Sequence, residues 1–348
     1  MHRAGLMLFA VIVLVLVPAA PASAHTVSGV GATDFTSRVD SIVPAEPGLQ
    51  VRFIENATRI ELTNSSAVEV TVLGYSGEPY LRVGPGGVFQ NVNSPATYLN
   101  KTRQGGVVPA RLQGTAPLPA PVWQSVASGP TARWHDHRTH WRLPLLPPGV
   151  RANPSLAQPV LAWQIGLVRG GQPVTVNGTV LWVPSPSPWA WVGLAVVLAV
   201  VVALAGRVRW WGPALAGALA LLVGADAVHA VGVGLDYAGG LPRQLVLIFG
   251  TSYYSIVAWI LGLLGARLLL RRNIDGLFLA VFSALVMTVF GGFTDFRVLD
   301  RSEAPFAFPV TLERGLVSLT LGVGLGVIVG SILALRANSV REGEPSTV

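Results

Sequence analysis

"VLAWQIGLVRGGQPVTVNGTVLWVPSPSPWAWVGLAVVLAVVVALA", residues 160–205, changes character twice. Up to Trp182 the apolar residues alternate on both sides of "RGGQ", the pattern of an antiparallel hairpin closed by a tight glycine turn. "PSPSPW", residues 184–189, then ends the ladder, because proline has no N–H to donate and favours extended geometry. From Trp189 onward the chain is apolar without alternation, and long enough to cross a hydrocarbon core of about 30 Å as a helix. Trp189 and Trp191 stand where an interfacial aromatic belt belongs. The stretch therefore predicts a β region followed by a membrane-spanning helical one.

Reading towards the N-terminus, short β-branched runs at 51–54, 59–63 and 67–73 are separated by Asn-containing turns. Several such strands imply an all-β sandwich of antiparallel sheets, immunoglobulin-like in kind. Residues 74–103 are aromatic and turn-rich, and are expected to pack along a sheet and supply loops. Residues 105–128 are rich in Pro, Gly and Ala and read as one long loop. The first residues show a basic start, an apolar core and the small-residue pattern "ASA" ending at Ala24, which reads as a secretory signal peptide. Cleavage there would make His25 the first residue of the mature chain.

Reading towards the C-terminus, apolar spans are expected near 189–206, 212–235, 244–270, 274–294 and 310–335. The expected organisation is a signal peptide (1–24), an extracytoplasmic β-sandwich (25–186), a five-helix transmembrane domain (187–336) and a disordered cytoplasmic tail (337–348). Composition agrees. Of 348 residues 51% are hydrophobic and only 12% charged, which points to a lipid bilayer as the environment. The formal charge of +7 is almost all arginine, with Lys101 the only lysine. The arginines are scattered or flank the spans, a pattern of membrane orientation rather than of nucleic-acid binding. An exported N-terminal domain followed by five spans would put the C-terminus in the cytoplasm, and a modest arginine bias agrees with this orientation in the cell membrane.

Two groups of residues carry candidate chemistry. "WHDHRTHW", residues 134–141, holds three of the six histidines. On a strand His135 and His137 would share a face, and a bend would let His140 join them. There is no cysteine and there are only three methionines, so a metal here must use nitrogen or oxygen ligands. Imidazole then favours Cu(II). Asp136 would be a ligand or would orient an imidazole. A free N-terminal His25 would add an amine and an imidazole on one ion. The alternative is a loop packed by its tryptophans, with histidines bonded to backbone carbonyls.

The second group lies in the spans. Asp226 and His229 are three apart, on one helical face, and ionisable groups inside a span point to function. Tyr253, Tyr254 and Asp295 are expected near the same outer leaflet, forming a polar pocket open to the outside. The loop 293–309, "FTDFRVLDRSEAPFAFP", mixes acids, arginines and aromatics and reads as a contact surface for the β domain, the alternative being a short interfacial segment. No nucleophile elbow, phosphate loop or zincin helix is present, so no enzyme is expected.

A signal ending in "ASAH", a secreted β-sandwich and a polytopic membrane part together resemble fusions of CopC-type and CopD-type copper proteins. That resemblance implies Cu(II) binding at the mature N-terminal histidine, carried over to His25 alone, and a membrane part concerned with copper uptake. "GEPYLRVGP", "SPATYLN" and "WHDHR" resemble uncharacterised actinobacterial membrane proteins, a likeness that brings no activity with it. The expected function is copper binding, delivery or sensing in the cell envelope. The alternative is an envelope interaction or assembly protein with a protein partner, in which the histidine-rich loop is a structural or docking element.

Overall fold

A computed structural model describes residues 31–114 and 118–343. The expected signal peptide and His25 lie outside the described residues. A β-rich N-terminal region is followed by a helical C-terminal part.

The β-rich region holds two antiparallel sheets. The larger has seven strands in the order β1-β10-β9-β4-β5-β6-β7, and the smaller has three in the order β2-β3-β8. The hairpin of the opening stretch is its longest pairing, β9 (Gln158–Arg169) with β10 (Gln172–Trp182). Gly170 and Gly171 turn between them at φ of 56° and 79°, a left-handed pair that costs glycine little. Along β10, Val174, Val176, Val180 and Trp182 are buried at alternate positions. Strand β1 (Phe35–Val43) pairs with β10 at one edge. Strands β4 (Val70–Leu73), β5 (Pro79–Gly84), β6 (Gly87–Asn91) and β7 (Trp123–Ala127) continue the sheet beyond β9. The small sheet is β2 (Leu49–Ile54), β3 (Arg59–Asn64) and β8 (Thr131–Trp134). Ile60 and Leu62 from the small sheet share one core with Val70, Val83, Ile165 and Val176 of the large one.

Several expectations shift. The stretch read as one long loop contains β7. It was hidden because four of its five residues are exposed, so no alternation marks it. His135 and His137 do not share a strand face, since β8 stops at Trp134 and His137 opens a short 3-10 turn, His137–Thr139.

The helical part comprises α1 (Trp189–Ala205), α2 (Trp211–Asp236), α3 (Leu241–Thr251), α4 (Tyr253–Leu270), α5 (Asp275–Met287) and α6 (Val310–Gly343). Four stretches are long and apolar enough to cross a membrane: Trp211–Asp236, Tyr253–Leu270, Asp275–Phe293 and Val310–Asn338. The expected first span is the shorter α1, of 17 residues. The expected third span is broken at Ser252 into α3 and α4. Helix α6 runs past the expected end of the last span, to Gly343. The bundle is apolar inside, at Leu215, Leu219, Leu269, Leu277 and Met287. It is apolar outside too, with Val197, Val201, Val246 and Ile260 all more than half exposed. A helix hydrophobic all round belongs in lipid.

Helix α1 has no buried side chain of its own, yet it lies along α6. Gly322, Gly326 and Gly330 of α6 recur every four residues and bring the two backbones together. A Cβ on Gly326 would stand 2.8 Å from the Ala199 carbonyl oxygen, and one on Gly330 2.9 Å from that of Val202. Helix α5 ends in a π-helical turn, Thr288–Phe293, the kind of irregularity that recurs at functional sites.

Candidate functional site: the histidine loop and the cavity between the two parts

The histidine-rich loop is built around an ion pair between a fully buried carboxylate and a partly buried guanidinium. The Arg138 guanidinium donates to both carboxylate oxygens of Asp136, at 2.9 and 2.8 Å. Asp136 is fully buried and also accepts from the Trp134 indole at 3.0 Å. Arg138 donates further to the Leu73 and Gly74 carbonyls and lies over the Tyr75 ring. The Tyr75 hydroxyl in turn accepts from the His137 amide at 2.9 Å. Every charge is thus matched by a partner of fixed geometry, the condition under which a buried pair is tolerated.

The histidines hold a strained turn. Between β2 and β3 three consecutive non-glycine residues, Glu55, Asn56 and Ala57, have φ of 54°, 51° and 55°. Left-handed backbone costs an L-residue roughly 1–2 kcal/mol. The turn presents the Thr58 carbonyl to two imidazoles, His135 Nδ1 at 3.1 Å and His140 Nε2 at 3.2 Å. A carbonyl only accepts, so the facing nitrogen of each ring carries its proton. His137 is spent elsewhere: its Nδ1 accepts from Arg142 at 2.8 Å and its Nε2 faces the Thr102 carbonyl.

Burial, the larger effect, holds the His135 pKa down to about 4 and that of His140 to about 3, with the Arg59 and Arg103 charges adding to it. Unfolded histidine binds a proton below about pH 6.5. These groups therefore support the fold fully above that pH, and their contribution drains away as pH falls towards the folded values. We expect the melting temperature of the full chain to fall steeply between pH 6.5 and 4.5. The fall should be shallower in the double variant His135→Asn, His140→Gln, whose amides can donate but do not titrate. Parallel slopes in the two proteins would remove the histidines from the account.

The same turn reaches the helical part. The Glu55 carboxylate accepts from Arg59 at 3.1 Å and from the Ala238 amide, just beyond α2, at 3.3 Å. A basic and polar cavity of about 400 Å3 opens here, lined by His135, Arg59, Arg133 and Lys101 and by Tyr237 and Arg243 from the helical part.

A larger cavity, about 700 Å3, lies at the other contact between the parts. Loop 293–309 makes this contact. Thr33 and Glu303 exchange backbone hydrogen bonds, both at 2.9 Å. Arg301 pairs with Asp34 at 3.1 Å, and the Ser302 amide donates to Asp34 at 2.9 Å. Phe35 and Trp182 supply apolar wall from the β-rich region, Val233, Val298 and Pro305 from the helical part, and Asp295, Arg297 and Glu313 the charge.

Of the expected membrane pocket, Asp226, His229 and Asp295 meet in this neighbourhood. His229 Nε2 lies 3.2 Å from the Asp295 carboxylate. Asp226 accepts from the Trp259 indole at 2.7 Å and abuts Gly291 in the π-helical turn. Tyr253 and Tyr254 lie apart, half exposed, with Tyr254 stacked on Phe290. Asp34 was not singled out from the sequence, and Arg297 and Arg301 only as part of a loop expected to contact the β domain. They carry no spacing signal, and only the tertiary contact makes them neighbours. Glu313 had one signal, an acid at the start of a span.

Among the described residues no group of three or more His, Asp or Glu side chains is arranged to hold a metal ion. Comparison with protein-family models, with curated proteins and with solved structures finds no match to this chain.

Proposed function

We propose that the protein is a membrane-embedded binding protein of the cell envelope, non-catalytic, with its ligand site in the larger cavity. In this reading the β-rich region is an immunoglobulin-like sandwich held outside the membrane, and the histidine loop is structural. The observation that carries it is the cavity itself, about 700 Å3, walled by both parts and containing the buried Glu313. Ligand sites favour such concave junctions, where apolar walls surround a few convergent polar groups. The structural reading of the loop rests on Thr58. Its carbonyl oxygen occupies the point on which His135 and His140 converge, the place a shared ion would take.

The test is native mass spectrometry of the full chain released from mild detergent. Ser185 is exposed at the cavity lining, so Ser185→Trp should obstruct the cavity without disturbing a core. A small molecule retained by the wild type and lost from the variant supports the reading. Identical spectra count against it.

A second reading is Cu(II) binding in delivery or sensing, as the resemblance to CopC-type and CopD-type proteins implies. It is favoured by the neutrality of His135 and His140 near pH 7, since a metal ligand must be unprotonated. Its test is EPR of the full mature chain titrated with Cu(II). A nitrogen-rich signal at stoichiometric copper, lost when one residue is added before His25, would establish it. Its absence would remove it.

A further inference from the structure

Glu313 opens α6 and is 1% exposed, yet among the described residues its Oε2 has no hydrogen-bond partner. It lines the larger cavity. The arginine next to it does not answer it. Arg314 spends its donors on the Val298, Arg301 and Ser302 carbonyls, at 3.2, 2.6 and 3.4 Å. Of the other acids of the cavity, Asp34 is paired with Arg301 and Asp295 with His229. A buried carboxylate oxygen with no donor is costly to keep, and a cation carrying N–H groups is its natural complement.

The remaining walls define that cation further. Phe35 and Trp182 are aromatic, and Val233 and Val298 are apolar. An organic ammonium gains from such surfaces, through ring faces and through burial of its carbon chain. Arg297 also lines the cavity, exposed, and suits an anionic group on the same molecule. We propose that the cavity binds a primary ammonium, as the aminoethyl phosphate unit found free or as a lipid headgroup, with Glu313 as its counter-charge. This rests on the cavity being the ligand site.

The experiment uses the full chain in neutral detergent and calorimetric titration. Phosphoethanolamine and ethanolamine probe the free ligand, and phosphatidylethanolamine bicelles against phosphatidylcholine bicelles probe the lipid. Binding of either amine form is expected, with choline headgroups at least tenfold weaker because a quaternary ammonium has no N–H. Glu313→Gln should weaken amine binding tenfold or more, and Ser185→Trp should abolish it. Glu313→Gln keeps the shape of the side chain, and its melting curve reports whether it folds. If that variant is unstable, the choline comparison on the wild type decides alone. Equal binding of ethanolamine and choline forms, or amine binding unchanged in a folded Glu313→Gln, overturns the proposal. So does no amine binding at all. Anionic probes such as butyrate separate the two ideas. If they bind in a manner sensitive to Ser185→Trp while amines do not, the cavity reading stands and the ammonium assignment falls. If no probe binds, both fall.

Discussion

Replacing Asp136 with alanine should cost about 3 kcal/mol, the lower end of what breaking a buried pair costs, because the guanidinium it leaves is partly buried. Arg138 would keep its two carbonyl partners and its place over Tyr75, but nothing would neutralise it. Trp134 would lose its acceptor at the same time. The loss should appear as a large drop in melting temperature of the full chain in detergent, followed by near-ultraviolet circular dichroism. Adding Arg138→Met should recover part of it, because the uncompensated charge goes too. The exposed pair Arg38–Asp40 is the internal control. Arg38→Ala should change stability by under about 1 kcal/mol, as surface pairs do. If Asp136→Ala melts like Arg38→Ala, the loop is not organised by its ion pair.

The second large effect is expected at Gly326. A leucine there would drive a side chain into Val202 and the Ala199 carbonyl, which a Cβ alone would meet at 2.6 and 2.8 Å. Helix α1 buries no side chain fully, so its seat on α6, centred on Gly326 between Gly322 and Gly330, should be pushed open. We expect a destabilisation of about 3 kcal/mol, the upper end of what overpacking costs. Gly224→Leu on α2 is the comparison, since a Cβ there meets nothing within 4 Å. Thermal melts in one detergent should place the second variant near the wild type and the first far below. Coincident melts of the two would show that α1 is held by something other than close backbone contact.

The sequence was informative where a short period governs. Alternation along 172–182 and the Gly-Gly turn follow from the two faces of a strand, and both stand in β9 and β10. Hydropathy located the helical part, but it could not show the break at Ser252, because the apolar run continues through it. The every-fourth glycines of α6 went unread, and only the structure shows them as the seat of α1. At the histidine loop, residue type suggested metal chemistry. The acceptor that draws His135 and His140 together is a backbone carbonyl 77 and 82 positions away, and no local pattern encodes such a contact. The larger cavity was half legible. Its acids on the spans stood out as ionisable groups in apolar surroundings, and loop 293–309 stood out as a contact surface, whereas Asp34 looked like ordinary surface charge until the loop met β1.

That meeting bears on how the chain is completed during synthesis. Asp34 enters at the start of the β-rich region, and its partners Arg301 and Ser302 emerge more than 260 residues later, after the fifth helix. The ribosome delivers residues in order, so β1 stays without this clasp until nearly the whole protein has been made. A chain stopped after β10 would expose the underside of the sheet around Asp34 and Val183, the surface that loop 293–309 normally covers.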